Sequence, residues 1–249
     1  MGKSFTEHML SKGHYLVGID LIENYKMSSD FQSQLLEFNI DIRKQDQITK
    51  FIDVIQNAAI EISGLIHFAA INPKLSQLEY SYNLIEQKNE EIYQALQVGT
   101  LGAFSMISSI EHLMTENCSV VLIGSDLSFV APNQELYCEC EMLGFKHGAK
   151  CKVKPLYYSI DKASTVALTK YLSTYFAAKN KNIRVNCICI GPVQNDMNPK
   201  FIEKLSTTIP LRRLAKVGEY NDTFEFMLIN SSDYQTGSIV TIDGGKTII

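Results

Sequence analysis

The sequence predicts one α/β domain built on a doubly wound parallel sheet, and three observations predict it. Short apolar runs suited to buried strands alternate with amphipathic runs suited to helices along the whole chain. The strand runs end on acidic, small or turn-forming residues: Asp20, Asp41, Ala69-Ala70, Ser125 and Gly191. No repeat or low-complexity linker divides the 249 residues, a length that one large core accommodates. In sheets of this kind ligands bind beyond the carboxyl ends of the strands.

The elements follow in order. Gly2 to Lys12 reads as a helix, with Phe5, Met9 and Leu10 as its apolar stripe and Gly13 as its stop. A short buried strand, Tyr15 to Asp20, comes next, and Leu35 to Ile42 reads as a second strand closing on Asp41. Ile48 to Ile62 is an amphipathic helix that runs directly into a strand over Gly64 to Ala70. Leu84 to Met114 reads as helix, broken or bent near Gly99 and Gly102. Ser119 to Ser125 is a strand, Tyr158 to Asn180 a helix preceded by the break at Pro155, and Ile183 to Ile190 a strand ending in the Gly191-Pro192 turn. Loops and short helices run to about Asn230, and Gly237 to Ile242 is the last strand.

Composition narrows the function classes. Hydrophobic residues are 45% and charged residues 20%, ordinary values for a globular protein. The net charge of -4 and the lack of a basic stripe exclude a nucleic-acid partner. No apolar run is long enough to span a bilayer, and Met1-Gly2-Lys3-Ser4 does not open a signal peptide, so no membrane partner is expected. The six cysteines are expected to be reduced thiols in the cytoplasm.

The stretch Tyr158-Ser159-Ile160-Asp161-Lys162 organises the chemistry. Residues four apart share a helix face, so Tyr158 and Lys162 point into one pocket. A free phenol has a pKa of about 10, and a neighbouring ammonium favours the phenolate. A tyrosine tuned in this way passes a proton to or from a hydroxyl or carbonyl. Such pairs also arise on amphipathic helices with no function.

The chain resembles the short-chain dehydrogenase/reductase family over nearly its whole length. The resemblance rests on Ile123-Gly124-Ser125, on Tyr158 with Lys162, on Ile183-Arg184-Val185-Asn186 leading to Gly191-Pro192-Val193, and on the closing Thr236 to Gly245. It implies a single Rossmann-like domain, NAD(P) chemistry and a small-molecule substrate. Tyr158 would be the general acid/base, Lys162 would lower its pKa and hold the nicotinamide ribose, and Ser125 would hold the substrate oxygen. The cofactor would lie against Gly2, Asp20, Asp41, Ile42, Ala69, Ala70, Gly191 and Val193. The family resemblance also implies a homodimer or homotetramer joined through the long helices from Leu84 and Tyr158. Lys162 is expected to be half-exposed. A narrower likeness lies in Phe129 to Tyr137 and the insertion at about 132–156, which lengthens the usual gap between serine and tyrosine. It resembles oxidoreductases encoded with bacterial surface-polysaccharide and flagellin-glycan genes, which act on nonulosonic or other activated sugars.

The chain departs from the family pattern at several points. The Gly-rich turn is represented only by Met1-Gly2; Asn-Asn-Ala-Gly is replaced by His67-Phe68-Ala69-Ala70; the asparagine of the proton relay falls on Gly99; and the usual threonine falls on Asn195. The first strand of the fold is absent. Met1 is therefore expected to be an internal methionine of a longer protein, because an empty central slot would hold its neighbours at roughly twice the usual strand spacing of about 4.8 Å.

Individual residues keep two readings. Asp20 follows Gly2 by 18 positions, the spacing of an acid that binds the adenine-side ribose and favours NAD over NADP; otherwise it is a solvated acid after a strand. Asp41 is an adenine contact or a helix-leading turn residue. Ser125 orients a carbonyl or only makes a turn. His67 is expected to be a buried histidine bonded to backbone. Cys138, Cys140, His147 and Cys151 contain donors for zinc, but their spacing follows no common zinc pattern, and no metal is expected. The functional expectation is an NAD-dependent oxidoreductase acting on a hydroxyl or keto group of an activated sugar; the alternative is a non-catalytic relative serving as a ligand-binding or oligomer subunit.

Overall fold

The computed structural model describes residues 1–22, 31, 33–73, 84, 87–137 and 153–249. The helices are α1 (Gly2–Ser11), α2 (Gln45–Asn57), α3 (Asn89–Val98), α4 (Thr100–Ile110), α5 (Leu156–Ala178), α6 (Pro199–Thr207) and α7 (Asn221–Glu225). The strands are β1 (Leu16–Asp20), β2 (Leu35–Asn39), β3 (Ile62–His67), β4 (Met114–Ser125), β5 (Arg184–Ile190) and β6 (Ile239–Ile242).

All the ladders are parallel, as alternating strands and helices require. Period-two alternation along β4 and β5 builds the two layers. Val121, Ile123, Ile188 and Ile190 pack with Phe5 and Met9 of α1 and Phe224 of α7 on one face. Val120, Leu122 and Val185 pack with Ala103 and Ile107 of α4 and Leu172 and Phe176 of α5 on the other. Every residue of β5 is buried, as is β4 from Cys118 to Ser125, so these two strands are the centre of the molecule.

The expected single sheet is present in two pieces. β1 pairs with β2, and β3, β4, β5 and β6 form a second sheet in that order. Among the described residues no ladder joins β1 to β3, and both strands remain only partly covered. Side chains hold the pieces together instead. Leu16, Ile66 and Phe68 meet the α1 cluster on one face, while Ile19, Ile62 and Leu65 meet Ile48, Phe51 and Ile110 on the other.

Several boundaries differ from the sequence expectation, each for a local reason. β2 stops at Asn39 because Asp41 closes a turn, its carboxylate accepting from Arg43 N at 3.0 Å and its own N donating to Gln47 at 2.7 Å. α2 runs from Gln45 to Asn57, ending before Ala59, which has φ 52. The long helix breaks at Gly99, as expected, but Met114 opens a strand instead of closing a helix. β3 ends at His67, leaving Ala69 and Ala70 in the following loop.

Candidate active site

The site lies at the carboxyl end of β4, where the strand passes into a short 3₁₀ turn over Asp126–Ser128. The turn is clamped to α5. Ser128 Oγ accepts from Ser125 N at 3.1 Å and donates to the carbonyl of Lys162 at 2.8 Å. These contacts bring Ser125 under the first turn of α5, where Tyr158 and Lys162 project from one face as their spacing predicts.

Ser125, Tyr158 and Lys162 do come together. Ser125 Oγ donates to Asp126 Oδ1 at 2.7 Å and lies beside the Tyr158 phenol. Lys162 Nζ lies 5.9 Å from the centre of the Tyr158 ring and donates to the Ile123 carbonyl at 2.9 Å. This is its one hydrogen bond among the described residues, so two of its three N–H groups remain available.

Two expectations are corrected here. Lys162 is buried, with 5% of its surface exposed, because α5 packs its first turns onto β4. Tyr158 is not lowered by Lys162. Burial pushes the phenol up to about 12, the Ser125 hydroxyl opposes this, and Asp126 and Asp161 add to the rise. Desolvation outweighs an ammonium that is itself buried and lowered by burial.

The structure adds residues that the sequence reading did not single out. Asp126 is buried and forms an ion pair with Lys246. Lys154 is buried with its Nζ 3.9 Å from the centre of the Tyr158 ring and 2.5 Å from Asn72 Oδ1. Asp126 follows Ser125 directly and could have been noticed; Lys154, Asn72 and Lys246 come from separate loops and carry no local signal.

Asp161 explains the glycine that replaces the expected asparagine. A Cβ on Gly99 would land on the Asp161 carboxylate. That carboxylate accepts from Thr100 N at 2.8 Å and Thr100 Oγ1 at 3.0 Å, capping α4 from a different helix. Burial raises its pKa, offset by Lys162 and the bonds from Thr100.

Asp20, Ala69-Ala70 and Gly191 lie at or just past the carboxyl ends of β1, β3 and β5. Asp20 ends β1 and accepts from Ile22 N at 3.2 Å. Asp41 is buried against Arg43, with contacts of 2.8 and 2.7 Å, and the guanidinium hydrogen bond lowers its pKa; its carboxylate is thus engaged in its own turn. Ile42 packs beside α2, and a Cβ on Gly102 would meet it at 2.9 Å. Gly2 opens α1, which has no side-chain cap, and lies against Phe68. Gly191 passes so close to Asp243 that a Cβ would sit 2.6 Å from its Cα, and Val193 bridges to Ala215. His67 bonds the Val98 carbonyl at 3.1 Å, and burial pushes its pKa down to about 4. Cys118, Cys187 and Cys189 are free and buried, while Cys138, Cys140, His147 and Cys151 lie outside the described residues. Among the described residues, no helix is long and apolar enough to cross a membrane.

Parallel strands with a serine at one carboxyl end, set beside a tyrosine and a buried lysine, define an α/β enzyme of the oxidoreductase type. Comparison with known proteins makes the class specific. A family model described as enoyl-(acyl carrier protein) reductase matches residues 1–142 and 143–247, and the chain belongs to this family of short-chain dehydrogenases/reductases. Carbonyl reductase family member 4 of Danio rerio is 23% identical, with 100% of this chain and 94% of that protein covered. Human 3-oxoacyl-[acyl-carrier-protein] reductase is 25% identical over the same shares of each chain, 100% and 94%. Among solved structures, a short-chain dehydrogenase family protein from Francisella tularensis superposes with a TM-score of 0.78 at 23% identity, covering 100% of this chain and 94% of that one. A short-chain dehydrogenase from Leptospira borgpetersenii with bound NAD+ has a TM-score of 0.77 at 21% identity, covering 99% and 88%. ElxO with NADP bound has a TM-score of 0.78 at 16% identity, covering 100% and 94%.

Proposed function

We propose that the chain interconverts a hydroxyl and a keto group on an activated sugar or nonulosonic-acid precursor, using a nicotinamide dinucleotide, in the making of a surface glycan. The observation that carries the reaction type is the Ser125 hydroxyl at the end of β4 beside the Tyr158 phenol and the buried Lys162. Lys162 has two N–H groups free for ribose hydroxyls, and the uncapped first turn of α1 offers N–H groups to a pyrophosphate. The dinucleotide supplies a hydride when bound. In the reductive direction the Tyr158 O–H bond breaks and the proton passes to the substrate oxygen, which Ser125 orients. A phenol held near 12 is protonated at neutral pH, the form this step needs. The Asp20 carboxylate at the end of β1 favours NAD by repelling a 2′-phosphate. The polar groups around the phenol, Ser125, Asp126, Lys154, Asn72 and Lys246, suit a hydroxylated substrate better than an acyl chain.

The unladdered gap between β1 and β3, on the cofactor side, favours a second reading as a non-catalytic ligand-binding subunit. NADH oxidation with a panel of keto-sugar nucleotides separates the two. Wild type is expected to turn over at least one of them, and Tyr158→Phe to lose about 100-fold or more in kcat. The reverse oxidation is expected to accelerate as pH rises toward 12, since it consumes the phenolate. NADH binding without turnover of any substrate would favour the second reading. Free thiols fit a cytoplasmic setting, and self-association through α3, α4 and α5 completes the proposal.

A further inference from the structure

We propose that Lys154 is a second cation of the site, a positioning residue set on the ring face of Tyr158 to stabilise the phenolate left when Tyr158 gives up its proton. The inference rests on the acid/base role proposed for Tyr158. Geometry supports it first. Lys154 Nζ lies 3.9 Å from the ring centre, nearer than Lys162 at 5.9 Å. An ammonium over an aromatic face is attracted to the ring, more strongly when both are desolvated and more strongly again when the ring bears a negative charge.

The placement is built into the fold. Lys154 N donates to Gln134 Oε1 at 2.8 Å, and Pro155 then opens α5, so the backbone on both sides is held. The ammonium donates to the neutral amide of Asn72 at 2.5 Å. Among the described residues no carboxylate forms an ion pair with it. The nearest acid, Asp126, is already engaged by Lys246 and Ser125. A buried ammonium without a counter-ion is costly. Burial accordingly lowers its pKa to about 8; Asp126 acts in the opposite direction, and Lys246 and Lys162 add to the fall. The charge becomes compensated when a negative charge appears on Tyr158. In the reductive step that charge forms as the O–H bond of Tyr158 breaks and a new O–H bond forms on the substrate, whose carbonyl carbon takes the hydride of the nicotinamide cofactor. The other charged or titratable groups facing the phenol are Asp126, Asp161, Lys162 and Tyr137.

The test uses the whole chain labelled with 3-fluorotyrosine, whose phenol titrates at lower pH, with Tyr158→Phe to assign the fluorine signal. Lys154→Arg, which keeps its charge at every pH, is expected to lower the Tyr158 titration midpoint by about one pH unit, and Lys154→Met to leave it near wild type, because Lys154 gives up its own proton near 8, before the phenol does. Thermal melting should show Lys154→Met folded and no less stable, since the buried charge is removed; Lys154→Gln is the second variant if it is not. With a working substrate, kcat should fall roughly 10- to 30-fold in Lys154→Met and recover in Lys154→Arg. An unchanged midpoint in a folded Lys154→Arg protein would overturn the proposal, as would an unchanged kcat at pH 7, where Lys154 is charged, in a folded Lys154→Met protein. So would a rise in KM alone, which would make Lys154 a grip for an anionic group of the substrate. The titration needs no turnover, so it stands even if the enzymatic reading fails.

Discussion

Asp161 shows how a side chain can move between elements without losing its job. Gly99 sits at the N-cap of α4 but has no side chain to cap with, and the Asp161 carboxylate fills that space from α5. Gly99→Asn places a Cβ on that carboxylate and is expected to cost about 1–3 kcal/mol by overpacking. Asp161→Ala frees the Thr100 donors and is expected to cost about 1–3 kcal/mol. The double variant should cost clearly less than the sum, because an asparagine at the N-cap can accept from the first turn of α4 itself. Urea unfolding of the three variants measures the coupling; strict additivity would show that the two positions do not share one role. From the sequence, Gly99 looked like a loss at the relay position. The replacement lies 62 residues away, from 99 to 161, and only the packing of α5 on α4 reveals it.

Among the elements, β1 and β3 set the molecule apart from a single continuous sheet. Leu16 N donates to Gln34 O at 2.8 Å and Asp20 O accepts from Ile40 N at 3.0 Å, so even-numbered residues of β1 face β2. The amides of Val17 and Ile19 therefore point to the other side, where no ladder with β3 forms. Hydrogen exchange should find Val17 and Ile19 faster than Val121 and Ile188 by at least about two orders of magnitude. Equal protection would mean that the two pieces of sheet are joined in solution. Strand identity was legible here because apolar runs mark buried strands. Strand ends were less so: β2 and α2 stop where Asp41 and Ala59 take turn conformations, which depend on local hydrogen bonds and not on hydrophobicity.

At the scale of the whole molecule, several large apolar side chains of α3, α4 and α5 stay exposed. Tyr93 of α3, Leu101 and Phe104 of α4 and Tyr171 of α5 are 59%, 43%, 44% and 63% exposed, on the helices proposed to meet a second subunit. Light scattering at micromolar concentration should give a dimer or tetramer, and Phe104→Asp should lower the mass to that of a monomer by placing a charge in the apolar contact. A monomer mass for wild type would remove the oligomer from the proposal.

Periodicity and local chemistry determined much of this protein from the sequence alone. Apolar runs located β4 and β5, four-residue spacing placed Tyr158 with Lys162, and the order of the pieces identified the family. These signals are local, and burial of apolar surface acts on them directly. The tertiary structure alone decided the electrostatics. It buried Lys162, pushed the Tyr158 phenol up instead of down, set Lys154 on its ring, and paired Asp126 with Lys246. Desolvation and ion pairing depend on which groups meet across loops far apart in the chain, and no spacing in the sequence records that.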